Sequence, residues 1–305
     1  MSDQNPLLVC VVGPTSIGKT KLSLKIAKSF STEILSADSR QFFKEMSIGT
    51  AVPSAKELAI VPHHFIQNRS IFDDYSVGDF EKDAIALLDR LFVKHKIIVM
   101  VGGSGLYVDA VTKGLDKFPE VRSNIRETLN QQYKTNGIEP LQKELEKVDP
   151  DYFGKVDIHN HHRLIRALEI YRGTGRPFSS FLNNNSKERH FNILFIGLTA
   201  NREIIYDRIN RRVDLMTESG LVKEAHKLFE YKTLNALQTV GYRELFQYFE
   251  GDLTMEEAIS EIKKNTRRFA KRQTTWFKKN QAIHWFDFNT DHSEIIRFIK
   301  TKNAQ

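Results

Sequence analysis

The sequence predicts an α/β protein with a mostly parallel sheet, helices on both faces of that sheet and an inserted helical domain. Three observations support this fold class. A β-branched apolar run, residues 7–12, meets a glycine-rich loop and then a helical repeat. Further strand-like runs, in "EILSADS", "KIIVMVGG" and "FNILFIGLTA", alternate with helical patterns, as they do in parallel sheets. Residues 118–189 are helix-rich and interrupt this alternation, so we predict a core of residues 1–117 and 190–305 with an inserted domain of residues 118–189.

The first loop fits the phosphate-binding pattern G-x-x-x-x-G-K-[ST] of P-loop proteins. Its flanks are the strand and the helix that this motif requires. Backbone N–H groups of such a loop form a nest for anions, Lys19 adds a positive charge, and the Thr20 hydroxyl can bind Mg²⁺. The alternative is a glycine-rich turn that binds nothing. We predict that the loop binds a diphosphate or nucleotide through Gly13, Pro14, Thr15, Ser16, Ile17, Gly18, Lys19 and Thr20.

The second strand argues against nucleotide hydrolysis. P-loop ATPases and GTPases hold their metal with an aspartate at the end of a second apolar strand. Here the run "KIIVMV" ends in Gly102 and Gly103, and no Asn/Thr-Lys-x-Asp guanine signature occurs. The sequence therefore favours transfer of a group over attack by water.

Asp38 is the candidate general base. It follows the strand in "EILSADSRQFF", and the carboxyl ends of strands in open α/β sheets are where ligands bind. An aspartate after a strand can instead cap the next helix. Beside a phosphate-binding loop, we favour the catalytic role for Asp38.

The composition favours a cytoplasmic protein that meets polyanions. The chain has 305 residues, and 45 Lys and Arg against 38 Asp and Glu give a formal charge of +7. The single cysteine, Cys10, excludes a disulfide framework, and no run approaches the roughly 18 apolar residues of a membrane span. We expect a monomer without signal peptide or membrane segment, and an exposed loop at Asn183 to Ser186.

A basic helix near the carboxyl end favours RNA as the polyanion. A capping box at Thr254 and Glu257 predicts the start of this helix. Eight basic residues and no acidic residue follow between positions 263 and 279, which suits a phosphate backbone, although such a run is often only a solvated face. Lys264, Arg267, Arg268 and Lys271 cluster on that side. The other side carries a mostly apolar stripe that we predict to be core: Ile262, Thr266, Phe269, Gln273 and Trp276.

Motifs along the chain resemble those of tRNA dimethylallyltransferases, also called tRNA isopentenyltransferases. They are "GPTSIGKT", "SADSRQFFKEMSIGTAVPS", "VGGSGLY", "RALEIYRGTGRP", "VGYREL" and "TRRFAKRQTTWFKK", and the resemblance covers residues 9 to about 287. It implies transfer of a dimethylallyl group from dimethylallyl diphosphate to the N6 amine of adenosine 37, beside the tRNA anticodon, with Mg²⁺ as cofactor. The absence of the zinc-finger tail of eukaryotic relatives favours a bacterial-type enzyme.

The resemblance also implies roles for individual residues. Lys19 and Mg²⁺ on Thr20 would stabilise the diphosphate as it leaves, and Asp38 would take a proton from the attacking amine. Ser104 and Arg212 map near the diphosphate. The expected contacts with the anticodon stem-loop lie in the "DSRQ" loop, an arginine helix, the "VGYR" turn and the basic helix: Asp38, Ser39, Arg40, Gln41, Arg163, Arg166, Gly241, Tyr242, Arg243, Lys264, Arg267 and Lys271.

The chain departs from the family pattern at a histidine-rich turn, His159 to His162. Adjacent positions at a helix start cannot all converge on one ion, and no cysteine assists, so we predict polar capping or RNA contact over zinc binding. The same holds for His63 and His64. Smaller departures are Ser104 in place of the usual threonine, Ile17 in place of a small hydroxyl residue, Phe43 in place of tyrosine and Val52 in place of lysine.

Three other functions stay open at the level of sequence. A small-molecule kinase would share the P-loop and the aspartate, but would not need the acid-free basic helix. A transferase acting on free adenine nucleotides would share the chemistry and lack tRNA contacts. A non-enzymatic RNA-binding module would have no use for the complete P-loop with Asp38.

Overall fold

The computed structural model describes residues 5–182 and 188–304, so the loop predicted at Asn183 to Ser186 lies outside the described residues. Within these residues, six strands form one parallel sheet in the order β3-β2-β4-β1-β5-β6. The strands are β1 Leu7–Val12, β2 Ile34–Ser36, β3 His63–His64, β4 Ile97–Val101, β5 Asn192–Thr199 and β6 Ile283–Asp287. This sheet confirms the predicted α/β class.

The α-helices alternate with the strands in the core and follow one another in the insertion. Their bounds are α1 Lys19–Ser29, α2 Ala55–Leu58, α3 Val77–Phe92, α4 Gly105–Thr112, α5 Ser123–Asn136, α6 Glu139–Val148, α7 Pro150–Phe153, α8 His161–Thr174, α9 Arg202–Glu218, α10 Leu221–Lys227, α11 Tyr242–Glu250, α12 Met255–Lys278 and α13 His292–Asn303. None of the helices in the described ranges is both long and apolar enough to cross a membrane.

Strand β1 shows why the sheet is covered on both faces. Its side chains point alternately to the two faces. Leu8 and Cys10 pack in one core cluster with residues of α3 and α4, whereas Val9 and Val11 pack in another with residues of α1 and α13. A strand buried on both faces needs a continuous apolar run, which is what the sequence has at this position. The predicted helices on both faces are confirmed.

The chain divides into two compact units. The larger consists of Met1–Lys113 with Arg189–Gln305, and the smaller is Gly114–Glu188. The smaller unit contains α5 to α8 and has its own apolar core, which includes Leu129, Leu164 and Leu168. Our prediction began the insertion at residue 118 and ended it at 189, whereas the smaller unit begins at 114 and ends at 188. Residue 189 contacts the larger unit, where its guanidinium donates to Glu81 at 3.0 Å and to the Val111 carbonyl at 2.9 Å.

Candidate active site

The phosphate loop lies between β1 and α1, as predicted. Gly13 and Gly18 have φ values of 137° and 111°, a region that favours glycine. A Cβ on Gly13 would lie 2.6 Å from the backbone oxygen of Leu198, so only glycine fits beside β5. Ser16 is also left-handed, with φ 62°. These left-handed residues bend the loop directly before the amino end of α1. Backbone N–H groups of such a loop, together with the positive end of the helix, bind anions.

Three side chains from helices distant in sequence hold the loop. The Arg208 guanidinium of α9 donates to the Ser16 carbonyl at 2.7 Å, and Arg212 donates to the Thr15 hydroxyl at 3.3 Å. The Thr15 N–H donates to the Gln273 side-chain oxygen of α12 at 2.8 Å. Arg208, which the sequence ranked below Arg212, therefore shapes the loop. Gln273 was missed as a site residue, although a polar side chain in an apolar stripe was the available signal.

Lys19 lies at the start of α1 with its ammonium turned toward the loop. Its Nζ donates to the Pro14 carbonyl at 2.8 Å. Burial is the main cause that lowers the pKa of Lys19 to about 7; nearby Asp38 opposes this shift and Arg212 adds to it. A bound anion would oppose the shift as well, because it stabilises the protonated amine.

The loop forms one side of a pocket of about 500 Å³, which we call the phosphate pocket. Residues 15–20 of the loop line it, whereas Gly13 and Pro14 only shape the turn. The Ser16 hydroxyl oxygen is buried without a hydrogen-bond partner among the described residues. A buried polar atom without a partner is costly, so this hydroxyl fits a ligand oxygen. The other lining residues include Ser36, Asp38, Gln41, Thr50, His63, Arg208, Arg211 and Arg212.

A second pocket, of about 560 Å³, opens on the other side of Asp38, and we call it the aromatic pocket. Its lining includes Ser39, Arg40, Ser104, Leu106, Tyr107, Gly241, Arg243, Phe269, Arg272 and Trp276. The two pockets share a wall made of Thr15, Asp38, Thr50, Gly103 and Arg212. A group in the shared wall can touch molecules bound in both pockets.

Asp38 is held in this wall by a turn and not at a helix start. Its carboxylate accepts the Arg40 N–H at 3.0 Å, and the next helix along the chain, α2, begins at Ala55 and is capped by Ser54. The alternative role as a helix cap is therefore wrong. The next residue is fixed as well, because the Ser39 N–H donates to the Ser104 hydroxyl at 3.1 Å. Ser104 thus joins the loops that follow β2 and β4.

Arg40 and Gln41 make internal contacts in addition to lining the pockets. The Arg40 guanidinium donates to the carbonyls of Asn235 and Ala236 at 2.9 and 3.1 Å. Burial lowers the pKa of Arg40 from its usual value, with Asp38 and Tyr107 opposing that shift. The Gln41 side chain accepts from Ser36 and donates to backbone carbonyls of residues 50 and 51. Their contacts with tRNA stay predictions.

Tyr242, which we predicted to contact tRNA, requires a correction. Its side chain is 0% exposed, and its hydroxyl donates to Glu224 at 2.6 Å. Glu224 also accepts the N–H groups of Ser47, Ile48 and Gly49, so that Tyr242 supports the loop that carries Thr50. The tyrosine is buried because the apolar cluster of α9 to α12 closes around it. Its neighbours Gly241 and Arg243 do line the aromatic pocket.

The apolar stripe of α12 also requires a correction. We predicted a core face, but Phe269 and Trp276 are 38% and 39% exposed and line the aromatic pocket. Only Ile262 and Gln273 of the stripe are buried. The Trp276 indole N–H donates to Asp109 at 3.0 Å, which fixes the ring at the pocket rim. An apolar stripe in sequence cannot distinguish a core from the wall of a concave pocket, because apolar and aromatic side chains occur in both.

The basic side of α12 is partly engaged with the protein itself. Arg267 donates to Asn210 at 2.7 Å, and Lys264 pairs with Glu261 on the same helix. Lys271 and Arg268 are exposed. Lys264, Arg267 and Lys271 line neither pocket. Their predicted contact with tRNA would therefore lie outside the pockets, along the helix.

In the smaller unit, the arginines and histidines at the start of α8 are placed as the helical pattern predicted. Asn160 caps the helix by accepting the Arg163 N–H at 3.3 Å, and the His161 ring stacks on Tyr133 at 4.3 Å. Arg163 is exposed, and Arg166 pairs with Glu169 at 2.8 Å. No group of three or more metal-ligating side chains occurs in the part of the chain that the structure describes.

Comparison with known proteins relates this geometry to one family. A family model described as IPP transferase matches residues 41–280. The chain is similar to the tRNA dimethylallyltransferase of Christiangramia forsetii, with 61% identity over 97% of this chain and 98% of the relative. The enzyme of the same name from Flavobacterium psychrophilum is 56% identical, over 97% and 98% of the two chains.

Solved structures give the same result. A tRNA isopentenylpyrophosphate transferase from Bacillus halodurans superposes with a TM-score of 0.73 and 39% identity, over 97% of this chain and 96% of that one. A eukaryotic dimethylallyltransferase acting on tRNA superposes with a TM-score of 0.83 and 25% identity, over 97% of this chain and 79% of that one.

Proposed function

The chain belongs to the IPP transferase family, the tRNA dimethylallyltransferases, and we propose that its two pockets bind the two substrates of a prenyl transfer. In this reaction, a dimethylallyl group leaves its diphosphate and joins the N6 amine of adenosine 37 in tRNA. The observation that supports the assignment best is the shared wall, in which Asp38 faces both a phosphate-binding loop and an aromatic pocket.

The donor diphosphate fits the phosphate pocket. Negative charge accumulates on the diphosphate as its carbon–oxygen bond breaks, and groups that are already oriented toward this charge lower the barrier. The loop amides, Lys19 and Arg212 are such groups, and the buried Ser16 hydroxyl supplies one more donor. No attacking water has to be positioned, which agrees with the missing metal-binding aspartate after β4.

The residues present fit Mg²⁺ bound jointly with the donor. Thr20 lines the phosphate pocket and offers a hydroxyl oxygen, a ligand type that Mg²⁺ prefers. The described residues contain no cage of three carboxylates or histidines, and Mg²⁺ commonly binds through one or two protein ligands together with substrate phosphates. When bound, the ion would neutralise charge on the leaving diphosphate.

The acceptor adenine fits the aromatic pocket. A base that leaves its stack is commonly held by aromatic side chains, and Phe269 and Trp276 present exposed rings there. The N6 amine attacks the allylic carbon, the carbon–oxygen bond to the diphosphate breaks, and Asp38 takes the proton that the amine loses. The products are prenylated adenosine and diphosphate.

Diphosphate release tests this proposal against hydrolysis. Because the attacking atom belongs to the acceptor, release from dimethylallyl diphosphate should require tRNA and should match the amount of prenylated adenosine. The measurement is release with and without an anticodon stem-loop RNA. Equal release in both reactions, or release from ATP alone, would show that water is the acceptor and would contradict the proposal.

We propose that the enzyme acts in the cytoplasm as a monomer. The phosphate loop, Asp38 and the aromatic rings that the proposed chemistry uses all belong to one chain, so this chemistry requires no residue of a second copy. The single cysteine, Cys10, is buried in the sheet, as suits a reducing compartment.

We expect the exposed basic residues of α12 to give tRNA binding its salt dependence. Replacing Arg268 and Lys271 with alanine removes two cations that release counterions on binding, so the slope of log K against log [salt] should fall by up to about 2. The measurement is a salt titration of tRNA affinity. The matched control replaces Arg297 and Lys300 on α13, which lines neither pocket and should leave the slope unchanged. If both variants show the same slope, the basic side of α12 is exposed to solvent and does not contact tRNA.

We expect donor binding to take up a proton at Lys19. The pKa of Lys19 is about 7 without ligand, so the amine is mostly charged below pH 7 and mostly neutral above it. Binding above pH 7 must restore the charge, and the affinity for inorganic diphosphate should fall by up to roughly tenfold per pH unit. Lys19→Arg, which stays charged, corrects for ionisation of the ligand and should show a smaller decrease. The same decrease in both proteins would contradict the shifted pKa.

A further inference from the structure

We propose that Gln273 is a positioning residue that couples tRNA binding to diphosphate binding. The inference rests on the proposed function, because it takes α12 as a tRNA-contacting helix and the loop after β1 as the diphosphate site. Gln273 lines the aromatic pocket, but both ends of its side-chain amide bond to the backbone, so we assign it no direct role in binding either substrate. Its role is to transmit the position of α12 to the phosphate loop.

The Gln273 side chain joins three segments. It is 5% exposed, its oxygen accepts the Thr15 N–H at 2.8 Å, and its nitrogen donates to the Gly103 carbonyl at 3.0 Å. The loops after β1 and β4 are therefore connected through α12. The site requires a donor and an acceptor on one side chain, which only an amide provides in this form. Leucine is apolar and offers neither a donor nor an acceptor, so it would leave both backbone groups without this partner.

These hydrogen bonds determine which backbone groups face the donor. The Thr15 N–H points at Gln273, so the amides that remain for the diphosphate are those further along the loop. Gly103 lies close to Lys19, because a Cβ on Gly103 would lie 3.7 Å from the lysine Nζ. Gln273 therefore holds backbone on two sides of the diphosphate site, at residues 15 and 103.

A second connection runs from α12 to the same loop through α9. Arg267 and Lys263 of α12 bind Asn210 and Asp214 of α9, at 2.7 and 2.6 Å. Helix α9 in turn holds the loop through the Arg208 and Arg212 contacts at residues 16 and 15. Helices α9 and α12 therefore both hold the loop, at residues 15 and 16. A shift of α12 would move the loop directly through Gln273 and indirectly through α9.

Gln273 lies between the two α12 residues that face the acceptor. Phe269 is four residues before it and Trp276 three residues after it, so all three share one side of the helix. A nucleotide that packs against these two rings contacts the same face of α12 that carries Gln273. Binding of tRNA should therefore stabilise the Gln273 contacts and with them the arrangement of the loop that binds diphosphate.

The test is a thermodynamic cycle with inorganic diphosphate and an anticodon stem-loop RNA. In the wild type, RNA should raise the affinity for diphosphate by roughly fivefold or more, and diphosphate should raise that for RNA by the same factor. In Gln273→Leu, this factor should fall to about 2 or less, because only the connection through α9 remains, with the affinity for RNA alone changed by no more than about twofold. Thr275→Val, an exposed neighbour on α12, should keep the wild-type factor.

A factor in Gln273→Leu equal to that of the wild type would overturn the inference, as would a wild-type factor of 1. If Gln273→Leu does not fold, exchange of the Thr15 amide hydrogen in the wild type decides instead. Bound RNA should slow this exchange, and unchanged exchange would overturn the inference. A wild type that neither binds RNA nor prenylates adenosine would contradict the proposed function itself, which separates the two failures.

Discussion

Asp38→Asn should lower the single-turnover rate of prenyl transfer by about 100-fold or more, the usual effect of removing a general base. Asparagine keeps the size of the side chain and can still accept the Arg40 N–H that holds the turn. It cannot take a proton from the adenine amine. Affinity for tRNA should fall only a few-fold, because Asp38 is one of many residues that line the aromatic pocket.

Three measurements on this variant separate the possible roles of Asp38. They are the single-turnover rate, the tRNA affinity and the melting temperature. Asp252→Asn, an exposed carboxylate between α11 and α12 that lines neither pocket, controls for the loss of one negative charge. A variant that transfers at nearly the wild-type rate would show that another group takes the proton.

Lys19→Ala and Thr20→Ala should each slow transfer by about 10²- to 10³-fold while tRNA still binds. Lys19 supplies the mobile charge of the phosphate pocket, and Thr20 supplies the proposed ligand of Mg²⁺. Both residues line the phosphate pocket and neither lines the aromatic pocket, so the loss should appear in donor binding and in the chemical step. The measurements are single-turnover rates with saturating tRNA and direct binding of inorganic diphosphate.

Lys25→Ala provides the matched control for these two variants. Lys25 is exposed on the same helix, α1, and lines neither pocket, so its removal should leave the rate within about twofold of the wild type. A loss of tRNA affinity in Lys19→Ala that equals its loss of rate would contradict the separation of the two pockets.

The sequence predicted the parts of the fold and the site that local patterns determine. Residues 7–20 form a strand, a loop and a helix start, and each of these has a signal within a few residues: β-branched apolar residues, glycines that need positive φ, and a helical repeat. The parallel sheet followed from several such units in series. Asp38 was found because the end of a strand fixes where the next residue lies.

The sequence could not predict contacts between segments that are distant along the chain. Gln273 contacts Thr15 across 258 residues of sequence, and its position as a polar residue in an apolar stripe does not identify that partner. Tyr242 lies in a motif associated with tRNA, yet its burial depends on the packing of α9 to α12 around it. Phe269 and Trp276 were predicted to be core residues, because the pocket beside α12 is formed by segments that are distant along the chain and leaves no local pattern.

Mass spectrometry of nucleosides tests the central claim most directly. Unmodified tRNA is incubated with the protein, dimethylallyl diphosphate and Mg²⁺, then digested and analysed beside the same reaction with Asp38→Asn. We predict that the wild type yields adenosine carrying one dimethylallyl group, that the product maps to position 37, and that the variant yields little of it in the same time. An unmodified adenosine in the wild-type reaction, with the protein folded and tRNA bound, would contradict the account.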